Sequence, residues 1–195
     1  ICQKNKIPTS KFKICKNLKE TIDYLETGHF PLVIKADGLA SGKGVYICKN
    51  FKDAKEASEE IFNGKFGAAE QILVEEFLEG EEMSYFIVTD GTNYKFFGSA
   101  QDHKRVGEGD VGKNTGGMGC YSPSRLLSDE LEFKIKKKII EPTLSAINER
   151  GGIYKGFLYV GLMIKDNNPF LIEFNVRMGD PECQTILPTL TTDLL

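Results

Sequence analysis

Chemistry first suggests itself in this sequence at a carboxylate and an amide two residues apart, Glu173 and Asn175. In the run Leu171-Ile172-Glu173-Phe174-Asn175-Val176-Arg177, strict alternation puts Leu171, Glu173, Asn175 and Arg177 on one face of a strand, with Ile172, Phe174 and Val176 on the other. Two oxygen ligands held at that spacing on a rigid strand suit a hard cation such as Mg2+, which shares its coordination with nucleotide phosphates. Arg177, one step further, could steady a transferring phosphoryl group or a substrate anion. A solvent-facing strand side is the plain alternative. Against it stands the continuation Gly179-Asp180-Pro181-Glu182, two more carboxylates on a tight turn.

Three further stretches fit an anionic, nucleotide-like ligand. Gly38-Leu39-Ala40-Ser41-Gly42-Lys43-Gly44 resembles a Walker A loop, but only three residues separate its glycines, and no Ser or Thr follows Lys43. It reads instead as the tip of a hairpin whose backbone N–H groups and Lys43 could fold over phosphates, with Lys35 as a second cation on the preceding strand. Val74-Glu75-Glu76-Phe77-Leu78, followed by Glu81 and Glu82, sets carboxylates at both ends of an apolar hinge. One carboxylate can accept from an adenine amino group and a later one from ribose hydroxyls; a solvated acidic face is the competing reading. Asp102-His103-Lys104-Arg105 adjoins Asn114-Thr115-Gly116-Gly117-Met118-Gly119, a charged cluster beside a second glycine-rich loop that would suit anionic substrates. His103 reads as a hydrogen-bonding loop residue before a general base, and His29 as structural.

The elements needed to position these groups are short and mostly extended. The expected order is a lead-in with a helix over 17–26, a strand pair 31–37 and 44–49, and a helix capped by Asn50 and stopped by Gly64. Next come a strand 71–77, a hairpin 82–90 with 93–100 turned at Asp90-Gly91, and a long loop to Pro123. A helix capped by Ser128 and kinked or restarted at Pro142 leads to the hairpin 156–164 with 170–177. Strands outnumber helices and pair antiparallel, so the class is α+β. The expected divisions are 1–30 as lead-in helices, 31–81 as a small subdomain with the phosphate loop, and 82–195 as a large one with metal and substrate loops.

Composition narrows the function. With 25 basic against 28 acidic residues in 195, net charge −3, the footprint of a nucleic-acid binder is missing. Five cysteines without a CxxC pair argue against a disulfide framework or a zinc site and for a reducing, cytoplasmic setting. The apolar stretches are strand-sized, so no membrane span is expected. Ile1 at the start and Thr191-Thr192-Asp193-Leu194-Leu195 at the end suggest a piece of a longer protein.

Taken together, Val33 to Val45, Ala100 to Arg105, Asn114 to Gly119 and Ile172 to Glu182 resemble the phosphoribosylamine–glycine ligase (glycinamide ribonucleotide synthetase) family over nearly the whole chain. Gln101 to Arg105 and Asn114 to Gly119 are specific to that family rather than to ATP-grasp proteins at large. Met178 and Cys183 depart from its usual residues. The resemblance implies an ATP-grasp fold in which two mainly antiparallel α+β subdomains grip ATP between them. It implies that glycine is joined to 5-phosphoribosylamine with ATP and Mg2+ or Mn2+, through a glycyl phosphate. Lys35, Gly38, Ser41, Gly42, Lys43 and Gly44 would then hold the phosphates, Glu75, Glu76, Phe77, Leu78 and Glu82 adenosine, and Glu173 and Asn175 the metal. Arg177, Asp102 and Lys104 would be catalytic, with Asn114, Thr115, Gly116, Gly117, Met118, Gly119, Asp180, Pro181 and Glu182 facing the substrates. The family's N- and C-terminal domains do not appear in this sequence. Another ATP-grasp carboxylate–amine ligase, or a nucleotide-binding module without turnover, are the alternatives.

Overall fold

The computed structural model describes residues 1–38, 44–109, 111–115 and 117–194, the side chains of 105 and 111–114 excepted. It divides into two compact units, Ser10–Leu78 and a larger one of Ile1–Thr9 with Glu79–Leu195.

In the small unit, β1 (Phe12–Cys15), β2 (Leu32–Ala36), β3 (Val45–Cys48) and β4 (Ile72–Glu76) form an antiparallel sheet in the order β1-β4-β2-β3. Two helices, α1 (Leu18–Leu25) and α2 (Phe51–Phe62), start at Asn17 and Asn50, whose side-chain oxygens each accept a backbone N–H at 2.9 Å. Leu25, Ala54, Ala57 and Ile61 from the helices meet Cys15, Leu32, Ile34, Cys48, Ile72 and Val74 from the sheet in one core. Alternation therefore sends Phe12, Ile14, Val33, Lys35, Val45, Ile47, Leu73 and Glu75 to the opposite face, where the register makes them neighbours. The β2–β3 hairpin closes as expected, Ala36 N donating to Gly44 O at 2.8 Å.

The large unit contains β5 (Glu81–Thr89), β6 (Tyr94–Asp102), β7 (Arg105–Gly107), β8 (Val111–Asn114), β9 (Cys120–Tyr121), β10 (Gly156–Lys165) and β11 (Asn168–Asn175). Five of these form an antiparallel sheet in the order β11-β10-β5-β6-β9, while β7 and β8 make a separate ribbon. One face is covered by α3 (Asp129–Ile135), a π-helical turn over Lys136–Ile140, and α4 (Glu141–Glu149). Leu131, Ile135, Ile139, Ile140 and Leu144 pack there on Met83, Tyr85, Ile87, Leu158, Val160, Leu162 and Leu171. On the other face, α5 (Glu182–Ile186) brings Ile186 against Phe86, Ala100 and Tyr159. Gly98 permits this approach, since a Cβ there would stand 2.7 Å from Ile186. Being short, α5 covers only part of that face and leaves the rest to polar side chains.

The antiparallel α+β class stands, and the differences from the expected elements are local. Residues 10–30 are part of the small unit, because β1 pairs along β4 and α1 packs into its core, and the second division falls at 78/79 rather than 81/82. The stretch from 101 to 123 carries three short strands within the expected loop. Pro142 sits in the first turn of α4, directly after the π turn, where its lack of an N–H interrupts the hydrogen-bond ladder without ending the helix. At β11 a bulge lets Gly161 oppose Glu173 and Leu162 oppose Leu171, so Ile172 is the extra residue. Strict alternation fails there: Leu171 joins Phe174 against the helix-side core instead of sharing a face with Glu173. Among the described residues no helix is long and apolar enough to cross a membrane.

Candidate active site

The uncovered part of the α5 face of the large sheet forms the candidate site. Cross-strand register lines up Asn175, Tyr159 and Phe86 in one row and Glu173, Gly161, Ser84 and Ala100 in the next. Gly161 leaves room for Glu173, because a Cβ there would stand 3.2 Å from its Cγ. Above these rows opens a cavity of about 130 Å³ lined by Asp102, Lys104, Thr115, Tyr159, Glu173, Asn175, Arg177, Gly179, Asp180 and Glu182.

Glu173 and Asn175 are adjacent, the Asn175 amide nitrogen lying 3.2 Å from Glu173 Oε1. Lys104 donates to Glu82 Oε2 at 2.8 Å. Burial would lower the Lys104 ammonium, but the facing Glu82, Tyr159 and Glu173 outweigh it and raise it overall. Glu182 is 2% exposed, and its Oε1 lies 2.8 Å from Ser84 Oγ, which is in turn 2.9 Å from Tyr159 Oη. Burial raises the Tyr159 phenol, against the pull of Lys104. Asp102 Oδ1 is buried with no hydrogen-bond partner among the described residues. Burial, then the charge of Glu182, push the Asp102 carboxyl up to about 6, with Lys104 opposing.

A Mg2+ ion fits these donors in part. Among the described residues no group of three or more His, Cys, Asp and Glu could hold a metal, so the protein offers one carboxylate and one amide. That is a donor set for an ion completing its shell with phosphate oxygens and water.

The structure thus brings Asp102, Lys104, Thr115, Glu173, Asn175, Arg177, Asp180 and Glu182 to one cavity. Glu82 lies beside it through Lys104. Thr115 ties the loop down, accepting from Gly117 N and donating to Lys104 O. Met118 is exposed, Pro181 precedes α5, and Gly119 O accepts from His103 N. His103 is exposed and lies against the Tyr121 ring, away from the cavity lining. In the small unit Lys35 Nζ lies 2.7 Å from Glu75 Oε2, which also accepts from Ser10 at 3.0 Å, on the sheet face opposite the helices. Glu76 accepts from Lys11 N, and Phe77 and Leu78 are half-buried beyond β4. The residues expected to hold adenosine are therefore divided, Glu75 to Leu78 in the small unit and Glu82 in the large. Gly38 and Gly44 flank the stretch expected to hold phosphates; Ser41, Gly42, Lys43 and Gly116 lie outside the described residues, as does the Asn114 side chain.

Sequence reasoning missed Ser84 and Tyr159. Alternation counted from Glu82 would have put Ser84 on the polar face, whereas nothing in the apolar run around Tyr159 separates its hydroxyl from the core.

Residues 1–183 match the family described as phosphoribosylglycinamide synthetase, ATP-grasp (A) domain. The chain belongs to that family. A phosphoribosylamine–glycine ligase from Mesorhizobium japonicum is 47% identical over 196 residues, covering 100% of this chain and 46% of its own length. The chloroplastic ligase of Arabidopsis thaliana is 49% identical over 198 residues, 100% of this chain and 37% of that protein. The crystal structure of phosphoribosylamine–glycine ligase from Thermotoga maritima superposes with a TM-score of 0.89 at 36% identity, covering 96% of this chain and 48% of that one. The fold is thus that of an ATP-grasp domain, and the chain spans less than half the length of these relatives.

Proposed function

We propose that this ATP-grasp domain serves the ligation of glycine to 5-phosphoribosylamine, giving glycinamide ribonucleotide, ADP and phosphate through a glycyl phosphate. The observation that carries the reading is the cavity on the large sheet, where Glu173 and Asn175 face Lys104 and Arg177 in a chain matched to the family over residues 1–183. In the small unit, the exposed apolar Phe12, Ile14, Val45 and Ile47 around Lys35 and Glu75 supply a surface for a purine ring and a cation for phosphate. Glu75 to Leu78 would read the adenine edge, Glu82 the ribose, and the loop from Gly38 to Gly44 the phosphates. Glu173 and Asn175 would hold Mg2+ or Mn2+, which when bound offsets phosphate charge. Lys104 and Arg177 steady the carboxylate and the phosphoryl oxygens, while Thr115, Gly117, Met118, Gly119, Asp180 and Pro181 border the substrates.

Since the chain covers 46% of the Mesorhizobium relative, the remaining domains of the longer enzyme would supply the other substrate contacts. Five cysteines with no CxxC pair among them fit a reducing cytoplasmic setting. Glu173→Ala in the full-length enzyme is expected to abolish ATP turnover. Retained turnover at saturating Mg2+ would sink the metal assignment.

A further inference from the structure

We propose that Asp102 is the proton acceptor for the amine that attacks the acyl phosphate, and that buried Glu182 acts through it as a positioning residue. The inference rests on the ligase reading and assigns one group within it.

An acceptor left without a donor in the interior is destabilising, so a buried orphan calls for a donor that arrives with a ligand. Asp102 Oδ1 is such an orphan among the described residues, and its side chain lines the cavity. Lys104 does not stand in as that donor, because its ammonium bonds Glu82 at 2.8 Å and leaves Oδ1 without a bond. Gly117, at φ +126°, lies against the carboxylate, and a Cβ there would stand 3.0 Å from Oδ1 and 2.7 Å from Pro181 Cδ. A side chain at 117 would crowd the acid, so glycine keeps it open.

The donor that fits is an amine N–H. In the step, the amine lone pair forms the carbon–nitrogen bond, the carbon–oxygen bond to phosphate breaks, and phosphate leaves with that electron pair. The proton shed by nitrogen goes to Asp102. The groups acting on Asp102 are Glu182 from α5 and Glu82 from β5, which disfavour its charge, and Lys104 and His103 beyond β6, which favour it. Tyr159 from β10 and Arg177 and Asp180 from the turn after β11 line the same cavity. Burial and Glu182 together bring the carboxyl up to about 6, a base strength closer to neutral pH than an ordinary aspartate offers. Glu182 is held for this role by Ser84 at 2.8 Å and by Gly179, whose missing side chain leaves space for its carboxylate.

The test uses the full-length enzyme with ATP and glycine, and compares two nucleophiles. Hydroxylamine, unprotonated and strongly nucleophilic near neutral pH, traps an acyl phosphate as the hydroxamate without a base, whereas phosphoribosylamine needs one. Asp102→Asn is expected to keep hydroxamate formation within about threefold of wild type and to lower amide formation by roughly 10²–10⁴-fold. Equal loss of both, or loss of neither, overturns the assignment. No hydroxamate from wild type would refute the ligase reading, and the base would fall with it. Glu182→Gln, informative even if the Asp102 variant does not fold, is expected to move the acid limb of amide formation to lower pH. A lowered rate with an unmoved limb overturns the role of Glu182.

Discussion

Replacing Gly179 by alanine tests how tightly the site is held from behind. A Cβ at 179 would stand 2.5 Å from the Glu182 carboxyl carbon and 2.9 Å from Oε1, with Oε2 nearer still. The end of a glutamate side chain normally swings aside at little cost. Here it is 2% exposed and bound to Ser84 at 2.8 Å, so moving it breaks a hydrogen bond to a charged group, worth about 1.5–3 kcal/mol. Crowding a packed site adds about 1–3 kcal/mol. The sum predicts a loss of roughly 2.5–6 kcal/mol, read as the shift of the urea midpoint at constant slope. The decisive comparison is a double-mutant cycle with Glu182→Ala, which removes the colliding group. If the collision is the cause, Gly179→Ala costs less than about 1 kcal/mol in that background. A cost that is the same in both backgrounds would refute the reasoning.

Two further outcomes are expected. Lys35→Met breaks the 2.7 Å pair with Glu75, whose partners are only 20% and 13% exposed. It should destabilise the small unit by about 1–3 kcal/mol and weaken ATP binding more than about tenfold by calorimetry; unchanged ATP affinity would remove Lys35 from the nucleotide site. The Asp102 carboxyl, up to about 6 against an ordinary 3.8, binds its proton more tightly folded than unfolded. The stability this confers is present below the unfolded value and is lost as pH rises through about 4 to 6. Asp102→Asn should therefore match wild type near pH 4 and exceed it near pH 7 by about 1–2 kcal/mol after allowance for solvent screening. A difference that does not vary with pH in urea titrations would contradict that sign.

Punctuation residues made much of the fold readable. Asn50 and Ser128 cap helices where their types and positions indicate, and Asp90 closes its hairpin by accepting from the backbone N–H of Thr92 and Asn93. Glu173 and Asn175 were readable because two polar groups in an apolar strand need a reason. The side on which Leu171 lies was not, since a one-residue bulge at Ile172 shifts the alternation and leaves no mark in residue types. β1 escaped notice because Phe12–Cys15 is only four residues long, too short to show a strand period before its partner β4 is known. Ser84 could have been placed by alternation from Glu82, whereas Tyr159 becomes a site residue only when β10 is paired with β5 and β11, which short-range spacing does not reveal.

The attachment of residues 1–9 to the large unit bears on the order in which the protein can form during synthesis. Leu171 N donates to Pro8 O and Thr9 Oγ1 donates to Leu171 O, each at 2.8 Å, across more than 160 residues of chain. Ser10–Leu78, in contrast, is continuous and carries its own sheet and core. As the chain leaves the ribosome, the small unit can mature once residue 78 has emerged, while residues 1–9 wait for β11. These nine residues thus settle later than the unit that follows them in sequence, and a translation product stopped before β11 would carry a finished small unit and an unclosed large sheet.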